Sequence, residues 1–196
     1  MEEVDEQEQR RALLHRFEGA YEAHYAAVAA YVRRRTAVAV DAQDAVAETF
    51  SIAWRRVDEL PDGDAARPWL FGVARRVLAN QRRGNRRRSS LSSRLRAQHA
   101  GTVEIEGSVV AADERRIVLA ALGRLREPDQ EILRLAVWEE LPHREIAAAV
   151  GCNEASVAVR LHRARNRLAK EIGKEERRAG QEPSKAPGRR AEGPAS

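Results

Sequence analysis

Hydrophobic positions along this chain recur at helical spacing and almost nowhere alternate. Leu13, Leu14, Phe17, Tyr21, Tyr25, Val28 and Val32 keep a near-helical period, which predicts one long helix over Arg11 to Arg35. Thr36 to Val40 breaks that pattern. Val46, Phe50, Ala53 and Val57 fall at i, i+4, i+7 and i+11 and predict the buried stripe of a second helix. Asp41 reads as its N-cap, with Asp44 in the first turn where the helix dipole favours acids. Asp44, Glu48 and Arg55 mark its outer face. Leu60-Pro61-Asp62-Gly63-Asp64 is a loop by its turn residues. Pro68 opens a third helix at a position that tolerates proline. Trp69, Leu70, Val73, Val77 and Leu78 form its apolar side; Arg75, Arg76, Arg82, Arg83 and Arg86 to Arg88 make the other side basic. Trp54 reads as core, whereas Trp69 suits either the core or stacking on an exposed base.

The pattern lapses over Ser89 to Gly107, a linker by composition, and resumes near Asp113. Ile117, Leu119, Ala120, Leu122 and Leu125 predict a helix ending before Glu127-Pro128. Pro128 sits at the start of the next, whose apolar residues are Ile132, Leu133, Leu135 and Val137. Then Leu141 to Leu168 parses as helix, tight turn, helix. Ile146, Ala147 and Val150 give the first an apolar edge. Gly151 supplies a left-handed backbone at the turn, and Asn153 caps the second helix. Val157, Leu161, Ala164 and Leu168 point that helix into a core, while Ser156, Arg160, Arg163 and Arg167 repeat one step away, beside His162 and Asn166. A helix with an apolar back and an arginine-studded front, behind a short brace helix, suits the major groove.

Composition narrows the fold to packed helices. Of the 196 residues 43% are hydrophobic, much of that alanine, and there are only three each of Trp, Tyr and Phe. The net charge is +5, but its distribution says more. Met1 to Gln9 is acidic, whereas Arg67 to Val103 holds ten arginines and no acid, a block suited to a polyanion. A single cysteine, Cys152, excludes an internal disulfide and a paired-cysteine zinc site. In the turn it reads as a small apolar filler. No stretch approaches the ~20 apolar residues needed to cross a bilayer, and the acidic start lacks the apolar core of a signal peptide. The chain therefore reads as cytosolic.

At this point particular residues resemble a known family. Asp41-Ala42-Gln43-Asp44-Ala45-Val46-Ala47-Glu48-Thr49-Phe50, then Ala53-Trp54, then Trp69-Leu70-Phe71-Gly72-Val73-Ala74-Arg75, resembles region 2 of the sigma-70 family. Its short extracytoplasmic-function type is the nearest subgroup. Leu141 to Leu168, with Arg144-Glu145-Ile146-Ala147 and Arg160-Leu161-His162-Arg163-Ala164-Arg165, is similar to region 4 of the same subgroup. Both motifs, in this order and spacing, are far more specific than either alone. The resemblance implies an all-α chain of two small helical domains joined by a flexible linker. It divides as an acidic extension (1–10), a region-2 module (11–88), a linker (89–112), a region-4 helix-turn-helix module (113–172) and a disordered tail (173–196).

The resemblance also implies function: a bacterial factor that directs core RNA polymerase to promoters and stabilises their melting. Asp41, Asp44, Glu48 and Arg55 would meet the coiled coil of the largest catalytic subunit, and the region-4 module would meet the β flap. Leu60, Arg67, Trp69, Arg75, Arg76, Arg82 and Arg83 would hold the melted −10 element on the non-template strand. Ser156, Ala158, Val159, Arg160, His162, Arg163, Arg165 and Arg167 would read the −35 element as duplex, with Arg163 and His162 on base edges and Arg160, Arg165 and Arg167 on phosphates. An anti-sigma protein is the implied regulator. This chain departs from the family pattern at Ala47 (usually glutamine), Arg76 (commonly asparagine), Ala158-Val159 (usually a basic residue and serine) and Pro142 (usually an N-cap serine). No catalytic group, metal or cofactor is expected, because the five histidines are scattered and a nuclease would need clustered acids or a base beside a nucleophile. The alternative is a stand-alone helix-turn-helix regulator, which leaves Asp41 to Arg88 unexplained.

Overall fold

The computed structural model describes residues 2–91 and 109–179, with side chains over 6–85 and 113–179. Among these residues there are seven α-helices and no strand. The first three are α1 (Glu2–Arg33), α2 (Ala39–Arg55) and α3 (Ala66–Leu91), with single-turn helices Val57–Glu59 and Gly63–Ala65 between the last two. They pack as a bundle around Val28, Val32, Ala45, Ala53, Leu70 and Val77, each almost wholly buried. The stripe Val46, Phe50, Ala53 and Val57 is buried as its spacing requires, and Ala42, Ala45 and Thr49 widen it. Thr49 keeps its hydroxyl satisfied by donating to the Ala45 carbonyl at 2.6 Å.

The second module holds α4 (Val109–Gly123), α5 (Glu127–Val137), α6 (His143–Val150) and α7 (Glu154–Ala179). The α6–α7 junction follows the turn chemistry. Gly151 adopts φ 74°, ψ 47° and its N–H closes on the Ala147 carbonyl at 2.9 Å. Asn153 Oδ1 accepts from the Ser156 N–H at 2.8 Å, capping α7. Val157, Leu161 and Ala164 are at most 2% exposed, and half-buried Leu168 and Cys152 pack against them from the edge of the core.

Several local expectations are corrected. Helix α2 starts before Asp41: its N-cap is Val38, with no side-chain cap, and Asp41 lies in the first turn. Trp54 is not core but 40% exposed, because it lies edge-on to Phe17 at the rim of the α1–α2 groove. Val137, at the end of α5, is 61% exposed. On α4 the buried alanine is Ala121, while Ala120 faces out. The acidic start continues as helix in α1 from Glu2, and α7 runs past Gly173 to Ala179, so the charged segments 2–10 and 173–179 are helical. The linker expectation falls mostly on residues 92–108 and the tail expectation on 180–196, outside the described residues.

The two modules are in contact, and one apolar core runs through both. Helix α6 lies against α3 so closely that a Cβ at Gly72 would stand 3.0 Å from the Ala149 carbonyl oxygen, so any larger residue there would press on the α6 backbone. Within the first module Tyr31 stacks on Phe71 with ring centroids 4.7 Å apart.

Candidate nucleic-acid interface

With Val157, Leu161 and Ala164 turned inward, the helical period sends Ser156, Val159, Arg160 and Arg163 outward together. They line an open surface with Asn153 and Ala155, residues the sequence reading left out of the site. Val159 is 50% exposed at its centre. His162 is exposed one step round, with its Nε2 3.1 Å from Asn166 Nδ2. Ala158 and Arg165, also exposed, lie on the opposite flank, a quarter-turn or more from Val159. Arg167 is partly engaged at home, donating to Asp129 Oδ2 at 2.6 Å.

Helix α3 carries its arginines in two rows. Trp69, Arg76 and Arg83 repeat every seven residues and form an outer row, beside Asn80. Arg56 lies over the half-buried Trp69 ring at 5.5 Å, Arg76 is exposed, and Arg83 donates to Asn80 Oδ1. The inner row, Arg67, Arg75 and Arg82, faces the second module. Arg67 meets Glu145 at 3.4 Å, Arg75 reaches the Val150 carbonyl at 3.4 Å, and Arg82 pairs with Glu127. Leu60 corrects the sequence reading: at 2% exposure it is core, because the short helix Val57–Glu59 folds it inward, and it cannot touch a base.

Asp41, Asp44, Glu48 and Arg55 share one face of α2, Asp41 half-buried and the rest exposed. Beside them lies a feature the sequence reading missed. Phe17, Tyr21, Tyr25, Phe50 and Trp54 form a continuous aromatic ladder along the α1–α2 groove, with centroids 4.7 to 6.5 Å apart. Tyr21, Tyr25, Trp54 and neighbouring Leu14 are 40 to 44% exposed, an apolar patch of the kind that marks a binding surface. The available signal was that this one groove takes five of the nine aromatic residues.

Between the modules sits a buried charge cluster. Arg35 donates to Glu131 Oε2 and Glu139 Oε1, each at 2.9 Å, its guanidinium 3.6 Å from the Tyr31 ring centroid. Tyr31 donates to Glu131 Oε1 at 2.6 Å, and Arg34 also pairs with Glu139. Burial, then the charge of Glu131, pushes the Tyr31 hydroxyl well above its ordinary pKa. Burial works to raise the Glu131 carboxyl, but the Arg35 charge and hydrogen bonds from Arg35 and Tyr31 overcome it, so Glu131 titrates below the usual carboxylate range. Among the described residues no group of three or more His, Cys, Asp or Glu side chains is placed to hold an ion.

Comparison with known proteins assigns the family. The family model described as Sigma-70 region 2 matches residues 20–88, and that described as Sigma-70, region 4 matches residues 115–168. The chain is 33% identical over 147 residues, 72% of its length and 80% of the relative's, to the ECF RNA polymerase sigma factor SigL of Mycobacterium tuberculosis. It belongs to the extracytoplasmic-function sigma factors. A second relative, the RNA polymerase sigma factor CnrH of Cupriavidus metallidurans, is 29% identical over 140 residues, covering 66% of this chain and 72% of that protein. The fold of this sigma factor resembles that of RpoE from Bartonella quintana, solved with the anti-sigma factor NepR (TM-score 0.60, 22% identity, 80% of this chain and 96% of that one). It also resembles CnrH solved with the cytosolic domain of CnrY (TM-score 0.56, 23% identity, 81% and 88%). A stand-alone regulator is accordingly not favoured. Among the described residues no helix is long and apolar enough to cross a membrane.

Proposed function

We propose that this sigma factor acts in the bacterial cytosol as a non-enzymatic specificity subunit, reading one promoter in two physical states. The open basic surface of α7 carries this reading. Ser156, Val159, Arg160 and Arg163 enter the major groove of duplex −35 DNA; Arg163 and His162 meet base edges, Val159 offers an apolar contact to a thymine methyl, and Arg160 and Arg165 hold phosphates. Ala158 stands at the edge of that contact, and Arg167 joins it only by leaving Asp129.

The outer row of α3 takes the melted −10 strand. Trp69 offers an aromatic face to an unstacked base, while Arg76 and Arg83 hold its phosphates. Unstacking costs a few kcal/mol, which these contacts offset, so melting is stabilised by binding with no bond made or broken in this chain. Core polymerase meets the acidic face of α2 (Asp41, Asp44, Glu48, with Arg55) through its coiled coil, and the adjoining aromatic groove extends that surface. The β flap meets the second module. An anti-sigma protein, of the kind solved with the Bartonella quintana neighbour, is the expected regulator.

Transcription by purified core polymerase on genomic fragments, with start sites mapped, tests the reading. Supplying this chain should create a defined set of start sites sharing two sequence elements. An unchanged pattern would refute it.

A further inference from the structure

Arg160 stands on two surfaces at once. It lines the open face of α7 with Val159 and Arg163, and it also lines a separate cavity of about 410 Å³ walled by α1, α3, α5, α6 and α7. The charges on that wall do not cancel. Its three carboxylates each have an arginine of their own: Glu127 pairs with Arg82, Glu131 with Arg35, and Asp129 with Arg167, which stands outside the wall. Two arginines of the wall are left over. Among the described residues, Arg75 makes one side-chain hydrogen bond, a long one of 3.4 Å to the Val150 carbonyl, and its Nε is buried with no partner. The Arg160 side chain makes no hydrogen bond or ion pair with any described residue. Arg35 adds a second buried donor without a partner, its Nη2. Positive charge left unanswered in this way calls for an anion. The rest of the wall is apolar: Leu78 and Ala79 from α3, Pro128 and Ile132 from α5, and Val150 from α6. A lone inorganic ion would leave that surface uncovered, whereas the volume matches pockets that hold small organic ligands.

We propose that this cavity is a regulatory site for a phosphate ester of nucleotide size, its phosphate gripped by Arg75 and Arg160 and its body laid against Leu78, Pro128 and Ile132. A phosphate monoester carries nearly two negative charges at neutrality and three acceptor oxygens, so it can take one guanidinium fork from each helix. The planar guanidinium groups also suit a flat base. Arg160 cannot hold this ligand and a −35 phosphate together. Occupancy of the cavity therefore weakens duplex reading, and duplex DNA weakens ligand binding by the same factor. That coupling rests on the reading of α7 as the duplex-binding helix; the ligand site does not.

Calorimetric titration of the full chain with GMP, AMP, guanosine and inorganic phosphate tests the site. GMP or AMP should bind one per chain, at least about tenfold more tightly than guanosine or inorganic phosphate. Arg160→Gln, at an exposed position, should weaken nucleotide binding about tenfold. Ala79→Leu fills the cavity, keeps every charge and should weaken binding by a similar factor. Lys170→Gln removes an exposed charge of α7 outside the cavity and should leave nucleotide binding as in the parent chain. No binding of either nucleotide, inorganic phosphate bound as tightly as the nucleotides, Arg160→Gln binding like the parent, or Lys170→Gln as damaging as Arg160→Gln each overturns the proposal. Arg160→Gln decides the matter if Ala79→Leu disturbs the packing of α3. Anisotropy on a duplex carrying the upstream element found by start-site mapping, with and without saturating nucleotide, then reads the coupling. Duplex affinity should fall by about fivefold or more, and an unchanged value overturns the coupling. A chain that binds nucleotide but no such duplex would sink the −35 reading and leave the site standing.

Discussion

Helices α3 and α7 are both 26 residues long, and each carries an apolar stripe behind a face rich in arginine. They differ in what covers those arginines. On α7 the surface around Val159, Arg160 and Arg163 is open, and Arg167 alone of the sequence-predicted residues there is tied to a carboxylate, that of Asp129. On α3 three of the five sequence-predicted arginines, Arg67, Arg75 and Arg82, are engaged by the other module before any DNA arrives. A helix braced by its own hairpin partner presents one face and keeps it. A helix in the middle of a bundle has two faces to spare, and here the second one holds the chain together.

The largest expected effect attacks the contact between them. Replacing Arg35 by alanine leaves Glu131 and Glu139 without their central partner; removing one side of a buried pair costs about 3–5 kcal/mol. Calorimetry should show the single melting transition of the chain either falling in temperature or splitting into one transition for each module. Gly72→Val comes next. Its side chain meets the Ala149 carbonyl oxygen, backbone that cannot swing aside, so about 1–3 kcal/mol of interface stability should go, read as loss of module contact by solution scattering.

A comparable but local loss is expected on α7. Arg163→Ala should cost about 1–3 kcal/mol of duplex binding and relax preference at one −35 position, whereas Arg83→Ala on α3 should weaken single-strand binding evenly and lower the salt slope by about 1. Competition binding over a salt series separates the two.

Acid gives the smallest effect near neutrality. Glu131 is held below its unfolded value, so its contribution is complete above the ordinary glutamate range near pH ~4.3 and disappears as pH falls through the lowered folded value. The contact should therefore be indifferent to pH from ~6 to ~8 and loosen only in strong acid. Tyr31 is shifted the opposite way, so its share is complete below the ordinary tyrosine value near ~10 and is lost as pH rises from there through its raised value.

Local chemistry was readable from the chain and long-range partnership was not. Gly151 and Asn153 announce the α6–α7 turn because φ and capping are set within a few residues. The stripe from Val46 to Val57 is buried because period alone decides it. Leu60 sits among Pro61, Asp62 and Gly63, and that loop signature hid its burial. Trp54 has the right period for the core but lies at its edge, where period cannot tell the rim of a groove from its floor. The partners of Arg35 lie 96 and 104 residues away, so no local pattern carries them. The arginines of α3 were visible as a basic block; its division into two rows depends on which neighbour folds against it.

The most direct test of the two-state reading is cross-linking in a polymerase–promoter open complex, with a photoreactive residue placed once at Val159 and once at Arg76. The account predicts that Val159 marks both strands of the upstream duplex element and Arg76 marks only the non-template strand of the melted element. Both positions marking duplex alone, or Arg76 marking no DNA while transcription proceeds, would contradict it.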